Sequence, residues 1–275
     1  MARRDEEDMK GINYGRLSAT VILVRDGANG LEVWMQERVL TMANYPGMTV
    51  FPGGGVDIRD FPPNQDEAKQ LWSGRSVSDL AKQLDVKPRQ AHALMFAAVR
   101  ELFEETGTLL LVDDSGTLLS DARPFHHARR RLESHELSFT ELLEETGLDV
   151  DASLLKPSGR WVGKSEKGVW FDTFTFIAEL PEGQEPDVTT GEASDANWFP
   201  PSLLLDGWRQ GLVRFAPSTW AQLHDIAEFN SVAEIMEHVK GLPIEAVVGD
   251  PVDIPRYREL FESNPVNRMG KQFEL

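Results

Sequence analysis

Residues 17–25 (LSATVILVR) and 31–37 (LEVWMQE) are β-branched or alternating runs on either side of the turn DGANG, and they predict an antiparallel hairpin. TVFPGGG (49–55) predicts a short strand running into a glycine loop. From about 58 to 87 the pattern turns polar, and DEAKQLW and SVSDLAKQL predict two short helices. Pro88 suits a first helical turn, and helical spacing continues from it to Thr106. Farther on, GVWFDTFTFIAEL (168–180) predicts a strand, NWFPPSLLLDGW (197–208) a strand end entering a helix, and 217–240 further helices. Strands interleaved with helices imply an α/β domain at 16–240. An N-terminal tail at 1–15, an insertion at 58–87 and an extension at 241–275 complete the expected layout.

Two stretches nearly repeat each other: RELFEETG (100–107) and TELLEETG (140–147). In each, three glutamates at i, i+3 and i+4 fall within roughly 100° of one helix face. Carboxylates so close repel one another, and a divalent cation would turn that repulsion into ligation by hard oxygen donors. The second copy has a structural explanation. Ser138 and Glu141 have the spacing of a capping box, and Leu137 and Leu142 that of a hydrophobic staple. The first copy has Met95, Val99, Leu102 and Phe103 as a core stripe behind it and small Ala97 and Ala98 beside it, which predicts an uncrowded acidic face. Arg100 stands ready to brace a carboxylate one turn away, and glycines 53–55 would let a pyrophosphate or metal approach the backbone. Chemistry is therefore assigned to the first copy.

The net charge of −17 repels a phosphate backbone, so a nucleic acid polymer is not an expected partner. A small polyanion could bind only where cations or a local basic cluster cancel the field. The absence of cysteine excludes disulfides, zinc thiolate sites and thiol catalysis. The charged start MARRDEEDMK and the lack of an apolar run near 18 residues predict a cytoplasmic protein without a membrane partner.

The first glutamate stretch, preceded by FPGGG, resembles the box of the Nudix hydrolases, G-x5-E-x7-R-E-U-x-E-E-x-G-U with U bulky and apolar. RELFEETG matches its second half, with Thr108 at the last U position. With Gly54 as the box glycine, 45 residues separate it from Arg100 where the pattern has 13, so about 32 are inserted. Counted back from Arg100, the earlier Glu position falls on His92 and reads as vacant. A split at this place resembles the coenzyme A diphosphatase branch. Arg38 and Gly47 keep the spacing of that branch's signature, although Val39 and Ala43 replace its Ser and second Arg. Trp161 with WFDTFTF (170–176) resembles another of its stretches, with Trp170 where the pattern has Arg.

The resemblance implies a Nudix-type α/β/α sandwich with a mixed sheet, a helical insertion and a helical extension. It implies a Mg²⁺-dependent pyrophosphohydrolase, with Mn²⁺ as substitute, acting on a nucleoside diphosphate derivative. Coenzyme A or acyl-CoA leads, then ADP-ribose or NADH, and subunits of the family often pair as homodimers. By the same resemblance, Glu101, Glu104, Glu105 and the carbonyl near Gly54 hold metal, Arg100 orients the glutamates, and Glu104 or Glu192 acts as base. Arg38, Gly53, Gly55 and Phe171 would meet substrate. Some readings stay open: Glu192 also reads as an ordinary acidic loop, Trp161, Trp170 and Phe171 stack on a base or fill a core, and the insertion is a lid or an edge decoration. HHARRR (126–131) reads as a solvated helix face and PSTW (217–220) as architecture. A nucleotide-binding module without catalysis is the competing class.

Overall fold

A computed structural model of the chain describes residues 7–39, 46–62, 71–165, 167–188, 193–250 and 252–262. In chain order the elements are β1 (Arg16–Gly27), β2 (Gly30–Arg38), β3 (Thr49–Val50), β4 (Gly53–Gly55), β5 (Trp72–Ser73), α1 (Val77–Leu84) and α2 (Pro88–Thr106). Then come α3 (His126–Glu133), α4 (Phe139–Thr146), β6 (Val150–Asp151), β7 (Leu155–Lys164), β8 (Trp170–Glu179) and β9 (Ala193–Phe199). The last are α5 (Pro201–Arg209), α6 (Pro217–Ile226), α7 (Val232–His238), β10 (Ala246–Val248) and α8 (Arg258–Glu262).

The main sheet runs β10-β7-β8-β1-β2-β3, with β4 also on β1 and β9 also on β2. It is mixed, because β1 pairs β8 and β7 pairs β10 in parallel while the hairpin β1–β2 is antiparallel. On β1, Leu17, Ala19, Val21 and Leu23 join one core with α2 and α4. Ile22 and Val24 join a second core with α5, α6 and α7 on the other face. Coverage on both faces explains why β1 reads as a continuous apolar run. The expected α/β/α sandwich is the observed one.

One edge of β1 changes partner halfway along. Ser18, Ala19 and Thr20 pair with Gly55, Gly54 and Gly53, whereas Val24 to Gly27 pair with β2. The glycines therefore form a paired strand rather than a free loop. A Cβ on Gly53 would lie 2.4 Å from the Ala19 carbonyl oxygen, at a φ of +154°. Only glycine lets β4 sit this close to β1.

The predicted helix from Pro88 to Thr106 is observed with those bounds, and Gly107 caps it in the left-handed region. It is more deeply enclosed than an amphipathic pattern suggests. Ala97 and Ala98 are as buried as Val99 and Leu102, so small residues mark close packing on that side rather than open space. Of the insertion, SVSDLAKQL forms α1, which buries Leu80, Ala81 and Leu84 in the same core as α2. DEAKQLW lies mostly outside the described residues, and its last residue, Trp72, begins β5. There Trp72 pairs with Val150 and stacks on His92 at 5.3 Å, so a tertiary contact overrides local helix propensity. Beyond residue 240, α8 is joined by β10, which extends the sheet. Residues before β1 are tied down too, since Gln90 donates to the carbonyl of Asp8 at 2.9 Å and the Ile12 amide to Asp172 at 2.8 Å.

Gly53→Ala should lower stability by about 1–3 kcal/mol through backbone strain and contact with β1, measured by denaturant unfolding. Gly55→Ala, where an added Cβ meets nothing within 4 Å, serves as the tolerant control.

Candidate active site

The last turns of α2 point at β4, and the group that joins them is a buried guanidinium. Arg100 donates from Nε and Nη2 to the two oxygens of Asp60 at 3.0 and 2.9 Å. Its Nη2 also donates to the Gly55 carbonyl at 2.9 Å, and Nη1 to Glu101 at 2.7 Å and Glu104 at 3.4 Å. Burial opposes the charge on Arg100, but the carboxylates of Asp60 and Glu101, then Glu104, outweigh it and hold its pKa above the ordinary value. Asp60 is pushed up by burial and pulled back by Arg100, and the bidentate geometry is that of an ionised pair.

Asp60 corrects the sequence reading. It stands six residues after Gly54, where the pattern G-x5-E places its acid, so the position is filled by the shorter carboxylate and the extra residues lie after it. Counting forward from the glycine finds it; counting back from Arg100 does not. A 3₁₀ turn at Ile58–Asp60 presents the side chain, closed by Asp57, whose amide donates to Asp60 at 2.8 Å. Hydrogen bonds from Arg59 hold the Asp57 carboxyl down at about 2. His92 is an interior ring, packed 4.0 Å from Phe96, and burial keeps it neutral by lowering its pKa to about 4.

Glu105 is buried and accepts from the Gly53 amide at 3.0 Å and from the side chain of Gln36. Glu101 lies against Gly54, where a Cβ would come within 2.4 Å of its carboxylate. Burial pushes Glu104 up to about 7, with Glu101 adding to the rise and Arg100 opposing it. Arg129, in the middle of the basic cluster, is not solvated: it donates to the Glu104 carbonyl at 3.0 Å and to Asp187 at 2.8 and 2.9 Å, fixing the end of α2.

Arg100, the three glutamates and the glycine strand line one cavity of about 580 Å³. Arg38, Gly53, Gly54, Gly55, Arg100, Glu101, Glu104, Glu105 and Phe171 all border it, so nine of the ten predicted site residues come together. The tenth, Glu192, lies outside the described residues. The PSTW element also reaches the wall, through Ser218 and Thr219. No described residue of the inserted stretch after Asp60 and before α2 lines it. The second glutamate copy is elsewhere: Glu141 closes a capping box with Ser138, and Glu144 and Glu145 are exposed. Asp60, Gln36 and Arg129 escaped the sequence reading, and of these only Asp60 had a spacing signal.

The donor set suits a hard divalent cation, since Glu101, Glu104 and Glu105 offer carboxylate oxygens beside a backbone that lacks a Cβ at Gly54. Among the described residues no three such side chains already converge in ligating geometry. Their oxygens are directed to Arg100, Gln36 and the Gly53 amide instead.

Comparison with known proteins agrees with this geometry. No protein-family model matches the chain. Acyl-coenzyme A diphosphatase NUDT19 of Xenopus laevis is 21% identical over 252 residues, which take in 80% of this chain and 66% of that protein. The chain thus spans just under two thirds of the relative's length. A crystal structure of a NUDIX hydrolase from Alicyclobacillus acidocaldarius matches with a TM-score of 0.69 and 28% identity, over 82% of this chain and 97% of that one. The Nudix resemblance carried by RELFEETG is borne out, and the fold is the Nudix fold.

Asp60→Ala should cost about 3–5 kcal/mol in unfolding free energy, because it strands a buried guanidinium, while Asp60→Asn should cost less. Without added cation, Glu104→Gln should be more stable than the parent. Since the folded pKa of Glu104 lies above its unfolded value near 4.5, the parent loses stability as pH rises from about 4.5 through 7. The gap in melting temperature should therefore widen from pH 5 to pH 7.5 and then level off.

Proposed function

We propose that the protein is a divalent-cation-dependent Nudix pyrophosphohydrolase that cleaves the diphosphate of a nucleoside diphosphate derivative, with coenzyme A or an acyl-CoA as leading substrate. The observation that carries this reading is the convergence of Arg100 and three α2 glutamates on the glycine strand within one cavity. The relative named for acyl-coenzyme A diphosphatase activity supports the choice of substrate.

Hydrolysis joins a water oxygen to one phosphorus, releases the bridging oxygen with the other phosphate and passes a proton to a base. A bound Mg²⁺ or Mn²⁺ supplies neutralisation of the phosphate oxygens and acidification of that water. Glu101, Glu104 and Glu105 hold the cation, with the backbone at Gly54 beside them. Arg100 fixes the directions of Glu101 and Glu104 from behind, and Asp60 fixes Arg100. Gln36 and the Gly53 amide hold Glu105, so its remaining oxygen is preoriented. Glu104 accepts the proton, and Glu192 is the alternative acceptor. Arg38 meets a phosphate, the backbone at Gly53 and Gly55 borders the diphosphate with open space at Gly55, and Phe171 packs against the remainder of the substrate.

Product analysis of coenzyme A, acetyl-CoA, ADP-ribose and NADH with Mg²⁺ tests the proposal. Cleavage of the first pair at the diphosphate supports it; preference for the second pair reassigns the substrate, and no turnover of any diphosphate overturns the enzyme. Glu104→Gln and Glu105→Gln should each lower kcat at least 100-fold, with no loss of melting temperature in the Glu104 variant, on the scale of losing a positioned acid–base or ligand group. Glu144→Gln and Glu145→Gln should leave kcat unchanged.

A further inference from the structure

Helix α6 begins at the wall of the acidic cavity, and it begins without a cap. Ala216 holds the N-cap position with no side-chain hydrogen bond, and Pro217 opens the first turn. The amide of Trp220 is the first to reach a carbonyl of the helix, that of Ala216 at 3.0 Å. Among the described residues the amides of Ser218 and Thr219 thus have no acceptor, and they stand at the positive end of the helix dipole. Ala216, Ser218 and Thr219 all border the cavity.

Thr219 independently points to a ligand. It is only 8% exposed, and it lines the cavity. Its hydroxyl meets no partner among the described residues. Enclosing such a group unpaired costs free energy, and a ligand that accepts its proton removes that cost. The helix is anchored from behind, where Trp220, Ala221 and Leu223 share a core with Ile22 and Ile177.

Strand register continues the same chemistry across the sheet. On the parallel pair β1–β8, Ser18 stands opposite Thr173 and Ile22 opposite Ile177. An even step along a strand keeps the same face, so Ser18 and Thr173 lie on the side that α6 covers. Their hydroxyls meet at 2.7 Å, and both residues line the cavity. The cavity therefore has an acidic wall at the end of α2 and an uncharged wall of hydroxyls and amides at α6. Ser218 also borders a smaller cavity of about 240 Å³ that contains Asp250, whereas Thr219 borders the acidic cavity alone of the two.

We infer that the start of α6, through the Thr219 hydroxyl and the amides of Ser218 and Thr219, is an anion subsite for the substrate phosphate that the cation does not hold. This rests on the pyrophosphohydrolase reading and fixes how the diphosphate lies, with one phosphate toward α2 and the other on the helix end. A helix N-terminus offers amide donors and positive potential without a basic side chain. In a chain of net charge −17, that is a local source of the compensation a polyanion needs.

Calorimetry with inorganic phosphate, on protein stripped of cations by EDTA, tests the subsite without catalysis. The parent should bind, and phosphate should raise its melting temperature. Ala216→Asp sets a carboxylate on the free amides, so it should raise the melting temperature of the unliganded protein and weaken phosphate binding about tenfold or more. Those opposite signs separate a ligand site from a structural one. Thr219→Val should weaken phosphate about tenfold, the scale of one hydrogen bond to a charged group, without loss of melting temperature, and Thr219→Ser should restore most of the affinity. In turnover, Ala216→Asp and Thr219→Val should raise KM by similar factors with kcat near the parent value. No phosphate binding by the parent, or unchanged affinity in Ala216→Asp or in Thr219→Val, overturns the proposal. If the parent binds phosphate through α6 yet hydrolyses no diphosphate, the subsite stands and the enzymatic reading fails.

Discussion

One guanidinium organises the site. Arg100 is almost wholly buried, and such a charge is tolerated only where every donor has an acceptor. Asp60, Glu101, Glu104 and the Gly55 carbonyl provide them, and in doing so they join a 3₁₀ turn, the end of α2 and the glycine strand into one unit. The positive centre also lets two glutamates stand side by side in a buried place. Without it their repulsion would drive them apart or force one to keep its proton.

The sheet supplies the complementary half. β1 hands its edge from the glycine strand to β2 along its length, and the cavity forms where the glycine strand faces the end of α2. Close approach at Gly53 and Gly54 matters twice: the first glycine lets β4 meet β1, and the second leaves space for the Glu101 carboxylate. The acidic group and the surface it serves thus come from elements far apart in sequence, held by short contacts rather than by one continuous loop.

How far this was legible differs residue by residue. The hairpin and α2 were readable because period and end signals agreed, with Pro88 at one end and Gly107 at the other. The choice between glutamate copies was readable because Ser138 explains Glu141 by capping. Asp60 was hidden behind a count made from the wrong side of a long insertion. Gln36 and Arg129 carry no local signal: Gln36 meets Glu105 across 69 positions, and Arg129 meets the Glu104 carbonyl across 25. Trp72 shows the converse, a helix-prone run whose end is taken into a strand by an aromatic partner. Ala97 and Ala98 show that small size next to a charged face signals packing as readily as room.

The ion pair between Asp60 and Arg100 has a further consequence for how the chain can vary. It ties together the two ends of the 39-residue stretch between them, which takes in α1 and the first turns of α2. Lengthening such a closed segment from 7 to 39 residues costs only about 1.5 kcal/mol in chain entropy, because the dependence is logarithmic. Burial of Leu80 and Leu84 by the added helix offsets it. Growth at that point packs behind α2 rather than along the cavity, so material can be gained or lost on the flank of the molecule without adding groups to the reacting centre.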